Sequence, residues 1–176
     1  TERPCLVYEF MAGASLKDRL SSDVKEDALV WQDRHIIASD VARGLAFLHL
    51  EADPPILHQD IKPANILLGT TPSPGGDGET IVAKLADFGI SRVAPELAAS
   101  KAKSYVKTQQ TAGTPIYMAL EVLNSGRVSA KSDTYAFGIV LLELLTGRPP
   151  RNPETREPLI DAIYVQLQDP KRSMQG

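Results

Sequence analysis

The chain opens on a short apolar run, Cys5-Leu6-Val7-Tyr8-Glu9-Phe10, whose aromatic and branched residues predict a buried strand. Met11-Ala12-Gly13-Ala14 breaks the run, and Ser15 is placed to cap a short helix over Leu16–Leu20. Further on, Ile37, Val41, Leu45 and Leu48 recur at steps of 4, 4 and 3, the stripe of an amphipathic helix that Ala38, Ala42 and Ala46 widen. Pro54-Pro55 forces the chain out of that helix. Two apolar runs, Ile66-Leu67-Leu68 and Ile81–Leu85, flank a stretch rich in Gly, Ser, Thr and Pro at 69–80, which predicts a hairpin with an oversized, mobile turn. Residues 91–116 have no sustained period and read as a long surface loop with one helical turn near Pro95–Ala99. Ser132 or Asp133 then opens a helix to Thr146 that is apolar nearly all round and belongs at the centre of the domain; Gly147 and Pro149-Pro150 end it. A last amphipathic helix over Leu159–Gln168 turns Leu159, Ile160, Ile163 and Leu167 to one side before Pro170. The fold class is α+β, mainly α-helical, with short β-hairpins.

Composition narrows the functional classes. Apolar residues make up 43% of the 176, enough for a real core. A balance of 19 Lys and Arg against 22 Asp and Glu, a net charge of −3, argues against a general nucleic-acid binder, which usually shows a basic face. The single cysteine, Cys5, allows no disulfide within the chain and fits a reducing, intracellular setting; its apolar neighbours predict a packing role. The longest apolar run, Ala136–Leu145, is interrupted by Gly138 and Glu143 and is too short to span a bilayer, so no membrane contact is expected of this segment. The start, Thr1-Glu2-Arg3-Pro4, carries no targeting logic and reads as a cut through a larger protein. His35 and His49 have no ligand cluster around them in sequence, so metal binding is not expected there.

The chemistry is concentrated in four motifs. His58-Gln59-Asp60-Ile61-Lys62-Pro63-Ala64-Asn65 comes first, and Asp87-Phe88-Gly89 follows 22 residues beyond Asn65. Then come Gly113-Thr114-Pro115-Ile116-Tyr117-Met118-Ala119-Leu120-Glu121 and Ser132-Asp133-Thr134-Tyr135-Ala136-Phe137-Gly138. Taken in this order they resemble the catalytic loop, metal loop, substrate-binding segment and central buried helix of eukaryotic protein kinases. The flanking text, including Leu6-Val7-Tyr8-Glu9-Phe10-Met11, Gly44-Leu45-Ala46-Phe47-Leu48-His49 and Leu141-Leu142-Glu143-Leu144-Leu145-Thr146-Gly147-Arg148-Pro149, is similar to plant receptor-like kinases and to the Pelle and interleukin-receptor-associated kinases.

That resemblance implies a partial kinase domain over 1–176, running from the hinge to about the penultimate helices of the C-terminal lobe, with the activation segment at 87–121. It implies ATP-dependent phosphorylation of serine or threonine in a protein substrate, in a cytoplasmic setting, with a parent that is a membrane receptor or receptor-associated. Asp60 would be the catalytic base and Lys62 the cation beside the transferring phosphoryl group. Asn65 and Asp87 would supply hard oxygen ligands for Mg²⁺. ATP would meet Tyr8 as gatekeeper, the Glu9 carbonyl and Met11 N–H at the hinge, Ser15 at the ribose and Leu67 under the adenine. Thr114 would bond Asp60 and Lys62, a feature of serine/threonine enzymes. Asp133 would cap backbone N–H groups of the catalytic loop, Glu121 would be structural, and His58 would pack against Phe88.

Three departures from the pattern carry expectations of their own. Gln59 stands where many kinases have the Arg that pairs with a phosphorylated activation-loop residue, and a neutral amide supplies no such charge. Ser104, Tyr105, Thr108 and Thr111 remain candidate phosphorylation sites, to be read by another cation. Leu120 replaces the usual Pro beside Glu121, and the Arg that usually partners this Glu is not identifiable here. Most of the N-terminal lobe, with its glycine-rich loop and phosphate-holding Lys, is missing from these residues. The isolated chain is therefore expected to bind ATP weakly or not at all, to turn nothing over, and to expose an apolar face. A pseudokinase, or a C-lobe fragment acting as a protein-binding module, is the alternative.

Overall fold

The computed structural model describes residues 5–22, 28–73, 75–76, 78–95, 97, 104–108 and 112–168. Its elements are α1 (Leu16–Leu20), α2 (Trp31–Ala46), β1 (Ile56–Leu57), β2 (Ile66–Pro72), β3 (Glu79–Leu85), β4 (Arg92–Val93), β5 (Val106–Lys107), α3 (Leu120–Ser125), β6 (Arg127–Val128), α4 (Ala130–Thr146) and α5 (Leu159–Gln168). A π-helical turn, Phe47–Glu51, prolongs α2, and short 3-10 turns sit at Pro63–Asn65 and Pro115–Tyr117. Among the described residues the architecture is mainly helical with three two-stranded antiparallel pairs: β1 with β4, β2 with β3, and β5 with β6. None of the described helices is long and apolar enough to cross a membrane.

The core forms where α2 and α4 meet the hairpin. Ile37, Val41 and Leu45 of α2 are buried with Ala136, Val140 and Leu144 of α4 and with Ile66 and Leu68 of β2. Full burial of each Ile, Val or Leu side chain among these contributes about 1.5–3 kcal/mol. Two polar ties fix the pieces. The Arg34 guanidinium donates to the Leu29 carbonyl at 3.0 Å and also to the Leu144 carbonyl, so it satisfies an orphan acceptor near the end of α4. The Asp40 carboxylate accepts the Ala83 N–H at 2.9 Å, closing the free edge of β3 with a helix side chain.

Capping explains the helix starts. Ser15 accepts the Asp18 N–H while Asp18 accepts the Ser15 N–H and hydroxyl, a complete capping box for α1. Gly126 closes α3 at φ +62; a Cβ there would lie 2.5 Å from the Thr108 carbonyl oxygen, so β5 can only pass this close to a glycine.

Several expectations need correction. Residues 5–10 form no strand: Leu6, Val7, Tyr8 and Phe10 are exposed, as is Cys5, because no described strand lies alongside to pair with them. Half of the 69–80 stretch is paired strand, in register from Gly69 opposite Val82 to Pro72 opposite Glu79, and the Ser73 N–H bonds the Gly78 carbonyl just beyond at 3.1 Å. α4 starts at Ala130, with Ser129 as its cap and Ser132 closing the box, so neither Ser132 nor Asp133 opens it. Leu145, on its last turn, is exposed. On α5 only Leu159 is buried, and Leu167 is 76% exposed. Ala42 is exposed too and does not widen the stripe of α2. The helical turn expected near Pro95–Ala99 lies largely outside the described residues, as does Thr111.

Candidate active site

The loop from His58 to Asn65 is held by its buried residues. His58 and Ile61, and Ile66 just beyond, are fully buried, Asp60 and Asn65 are buried beside them, and Lys62 is half-buried. Asp133, in the first turn of α4, supports the loop from below. Its Oδ2 accepts the His58 N–H and its Oδ1 the Gln59 N–H, both at 2.8 Å, and His49 Nε2 lies 2.9 Å from Oδ2. The His58 ring accepts the Asp60 N–H at Nδ1 (3.3 Å), so its Nε2 carries the proton given to the Ala86 carbonyl at 3.1 Å. Burial pushes the His58 pKa down, in keeping with a neutral ring, and that ring packs on Phe88 at 5.0 Å between centroids.

Around Asp60 three side chains converge. Lys62 Nζ donates to Oδ2 at 2.7 Å, Asn65 Nδ2 donates to the same oxygen at 3.0 Å, and the Thr114 hydroxyl donates to Oδ1 at 3.1 Å. Thr114 Oγ1 also accepts from Lys62 Nζ at 3.1 Å, which closes a triangle of Asp60, Lys62 and Thr114. Gly113 makes this approach possible: at φ +116 its missing Cβ would sit 2.9 Å from the Gln59 carbonyl oxygen. Burial raises the Asp60 pKa, but the bonds from Lys62, Asn65 and Thr114 outweigh it and hold the carboxyl below the ordinary range.

The donors expected for a cation lie on either side. Asn65 gives its amide N–H groups to the Asp60 carbonyl and carboxylate, which leaves its side-chain oxygen as the atom able to take a cation. Asp87 is exposed, at a left-handed φ of 63°, with Oδ1 accepting the Gly89 N–H at 3.2 Å. Ala86 N–H bonds the Asn65 carbonyl at 2.9 Å and ties the two loops together. Two oxygen donors, one neutral and one acidic, fit a hard divalent ion such as Mg²⁺.

The nucleotide-side candidates divide. Ser15 bridges Leu67, Gly13 N–H bonds the Leu68 carbonyl at 2.8 Å, and Met11 packs over Gly69, so Met11, Ser15 and Leu67 gather along β2. Tyr8 stands exposed, and the Glu9 carboxylate pairs with Lys84 at 2.5 Å. Glu121 is exposed at the start of α3 and takes no part in the Asp60 cluster. Leu120 occupies the first helical position, where Pro is accommodated but not needed.

Sequence reasoning missed three features. His49 joins the Asp133 cluster, Gln59 donates its amide to the Ile90 carbonyl at 2.7 Å, and Glu143 pairs with Tyr117. Glu143 could have been flagged as the one charged residue in the apolar stretch from Thr134 to Thr146. It lines, with Lys62, Thr114, Tyr117 and Arg148, an open cavity of about 590 Å³ beside Asp60. Burial lifts its pKa from 4.5 to about 7, against the opposing bond from the Tyr117 hydroxyl at 2.8 Å, and the Tyr117 pKa is raised in turn by burial and by Glu143. The folded protein thus holds a proton on Glu143 that the unfolded chain releases, so the stability this group contributes is fully present below pH 4.5 and is lost as pH rises to about 7. The expected loss is about 3 kcal/mol at 1.36 kcal/mol per unit. Glu143→Gln should remove this component, and urea midpoints of the two proteins at pH 5 and pH 8 would show it; parallel pH profiles would contradict it.

Comparison with known proteins agrees with this geometry. The family model described as the protein kinase domain matches residues 1–174. U-box domain-containing protein 70 of Oryza sativa subsp. japonica is 43% identical over 150 residues, 85% of this chain and 17% of that protein. Receptor protein-tyrosine kinase CEPR2 of Arabidopsis thaliana is 41% identical over 175 residues, 97% of this chain and 16% of that protein. Serine/threonine-protein kinase pelle of Drosophila melanogaster is 40% identical over 172 residues, 93% of this chain and 32% of that protein. The chain spans no more than 32% of the length of any of these three relatives. It belongs to the protein kinase domain family, on the branch of the plant receptor kinases and Pelle.

Proposed function

We propose that this chain carries the catalytic residues of an ATP-dependent protein serine/threonine kinase. The observation that carries the proposal is the Asp60 carboxyl set between Lys62 at 2.7 Å and Thr114 at 3.1 Å. A substrate hydroxyl reaching Asp60 would be oriented by a carboxylate whose depressed pKa makes it a weak base at rest. It takes the proton only as the oxygen becomes bonded to phosphorus, which suits a loose phosphoryl-transfer transition state. Lys62 places positive charge where the equatorial phosphate oxygens gather negative charge. Asn65 and Asp87 would hold Mg²⁺, which supplies charge neutralisation of the phosphates when bound. Met11, Ser15 and Leu67 would face the adenosine side, with Tyr8 and the Glu9 carbonyl completing it.

Thr114, bridging Lys62 and Asp60, supports serine/threonine over tyrosine selectivity. Pelle is named a serine/threonine kinase and CEPR2 a receptor protein-tyrosine kinase, so the amino acid modified is a direct test. On this reading the domain acts on a protein substrate in the cytoplasm, where ATP is, within a receptor or a receptor-associated parent. The full-length protein, given Mg-ATP and peptides carrying Ser, Thr or Tyr, should place phosphate on Ser and Thr alone. Phosphotyrosine would overturn the selectivity. Transfer to none of the peptides by folded protein would favour a binding module.

A further inference from the structure

Gln59 is the meeting point of three separate elements. Its N–H is given to Asp133 of α4 at 2.8 Å, its carbonyl oxygen faces Gly113, and its side-chain amide donates to the Ile90 carbonyl at 2.7 Å. Ile90 lies three residues beyond Asp87. The residue adopts a left-handed backbone, φ 71°, which a non-glycine side chain takes up only when its surroundings fix it. Ser91 adds a second rung, its hydroxyl donating to the His58 carbonyl at 3.1 Å, and β1 pairs with β4 immediately beyond. Both rungs join uncharged groups.

We propose that Gln59 is a positioning residue, a neutral clamp that holds the Asp87–Ile90 turn against the catalytic loop and sets Asp87 for its cation without help from a phosphate. The inference rests on the kinase reading for its consequence, but the clamp itself is a mechanical claim with its own readout. Because amide and carbonyl carry no net charge, the link is insensitive to salt and to the phosphorylation state of the segment beyond it.

The test uses the full-length protein with Gln59→Met, which keeps the length but removes the donor, and Gln59→Arg, which keeps a donor on a flexible stem. Loss of one such bond should accelerate amide exchange over residues 88–92 and raise the Mg²⁺ concentration for half-maximal activity, each by about tenfold in Gln59→Met. The peptide KM should stay within about twofold, because no substrate contact is touched. Gln59→Arg should exchange within about threefold of the parent protein, because a donor to Ile90 remains. Phosphatase treatment should leave exchange of the parent protein unchanged. Equal exchange in Gln59→Met and the parent, or faster exchange after phosphatase, overturns the clamp. Fast exchange in Gln59→Met sustains the clamp even in a protein that transfers no phosphate, whereas that lack of transfer sinks the kinase reading alone. Should Gln59→Met fail to fold, Gln59→Glu, which has the length but no donor, takes its place with the same expected exchange.

Discussion

Asp60→Asn is expected to lower the phosphoryl-transfer rate of the full-length protein by roughly 10²–10⁴-fold, the usual worth of a positioned general base. The replacement is nearly isosteric, so the backbone of the loop has no cause to move. What changes is donor–acceptor balance. Asp60 now accepts from Lys62 and Asn65 at one oxygen and from Thr114 at the other. An Asn amide at position 60 keeps one oxygen, and its NH₂ must face Nζ of Lys62 or the Thr114 hydroxyl. The substrate hydroxyl then loses both its orienting acceptor and the group that takes its proton. Since that interaction belongs to the transition state, kcat and kcat/KM should fall together while the KM for ATP changes little. Steady-state kinetics of both proteins with a serine peptide check this, and parent-like turnover in Asp60→Asn would remove Asp60 from the mechanism.

Asp133→Ala should cost the fold about 2–6 kcal/mol, the cost of leaving two buried N–H donors unsatisfied at about 1–3 kcal/mol each. Asp133 is 1% exposed, and it is the acceptor for the His58 and Gln59 N–H groups while lying against His49. Alanine leaves those buried donors without an acceptor and opens a small void beneath the catalytic loop, with no room for the chain to relax because Ile61 and Ile66 are locked in the core. Urea unfolding measures the loss. A midpoint within about 1 kcal/mol of the parent protein would mean that water or another acceptor replaces the carboxylate. The effect on function should exceed the effect on stability, because the same two N–H bonds set the direction in which Asp60 points.

Legibility in the sequence followed the range of the interactions. α1 was readable because its cap, Ser15, and its partner, Asp18, lie within one turn. The stripe of α2 was readable because Ile37, Val41 and Leu45 share one helical face whatever packs against it. The run at 5–10 failed for the opposite reason: a strand exists only by pairing, and composition cannot supply the neighbour. Gly69–Pro72 looked like loop by composition but is held by its register with Glu79–Val82, a cross-strand property. At the site, motif resemblance singled out Asp60, Lys62 and Thr114, and the structure brings these three together across 54 residues of sequence. Resemblance gave no hint of His49 beside Asp133 or of the Gln59 amide on the Ile90 carbonyl, since the partners lie 84 and 31 residues apart and any residue type supplies a backbone carbonyl.

Among the described residues, four non-glycine residues have left-handed backbones: Ala14, Gln59, Asp87 and Arg156. Each such position costs of order 1–3 kcal/mol that glycine would largely avoid. At Gln59 the side chain that glycine lacks donates to the Ile90 carbonyl and at Asp87 it accepts the Gly89 N–H, so on the proposed kinase reading ease of folding and chemistry pull in opposite directions there. A chain refined for thermal robustness alone would drift to glycine at both and, on that reading, become a sturdier but inert scaffold. Arg156, on an exposed turn held by its N–H to the Asn152 carbonyl, carries no such conflict. An engineer seeking a hardier protein has room to work at that turn, and should leave Gln59 and Asp87 as they are.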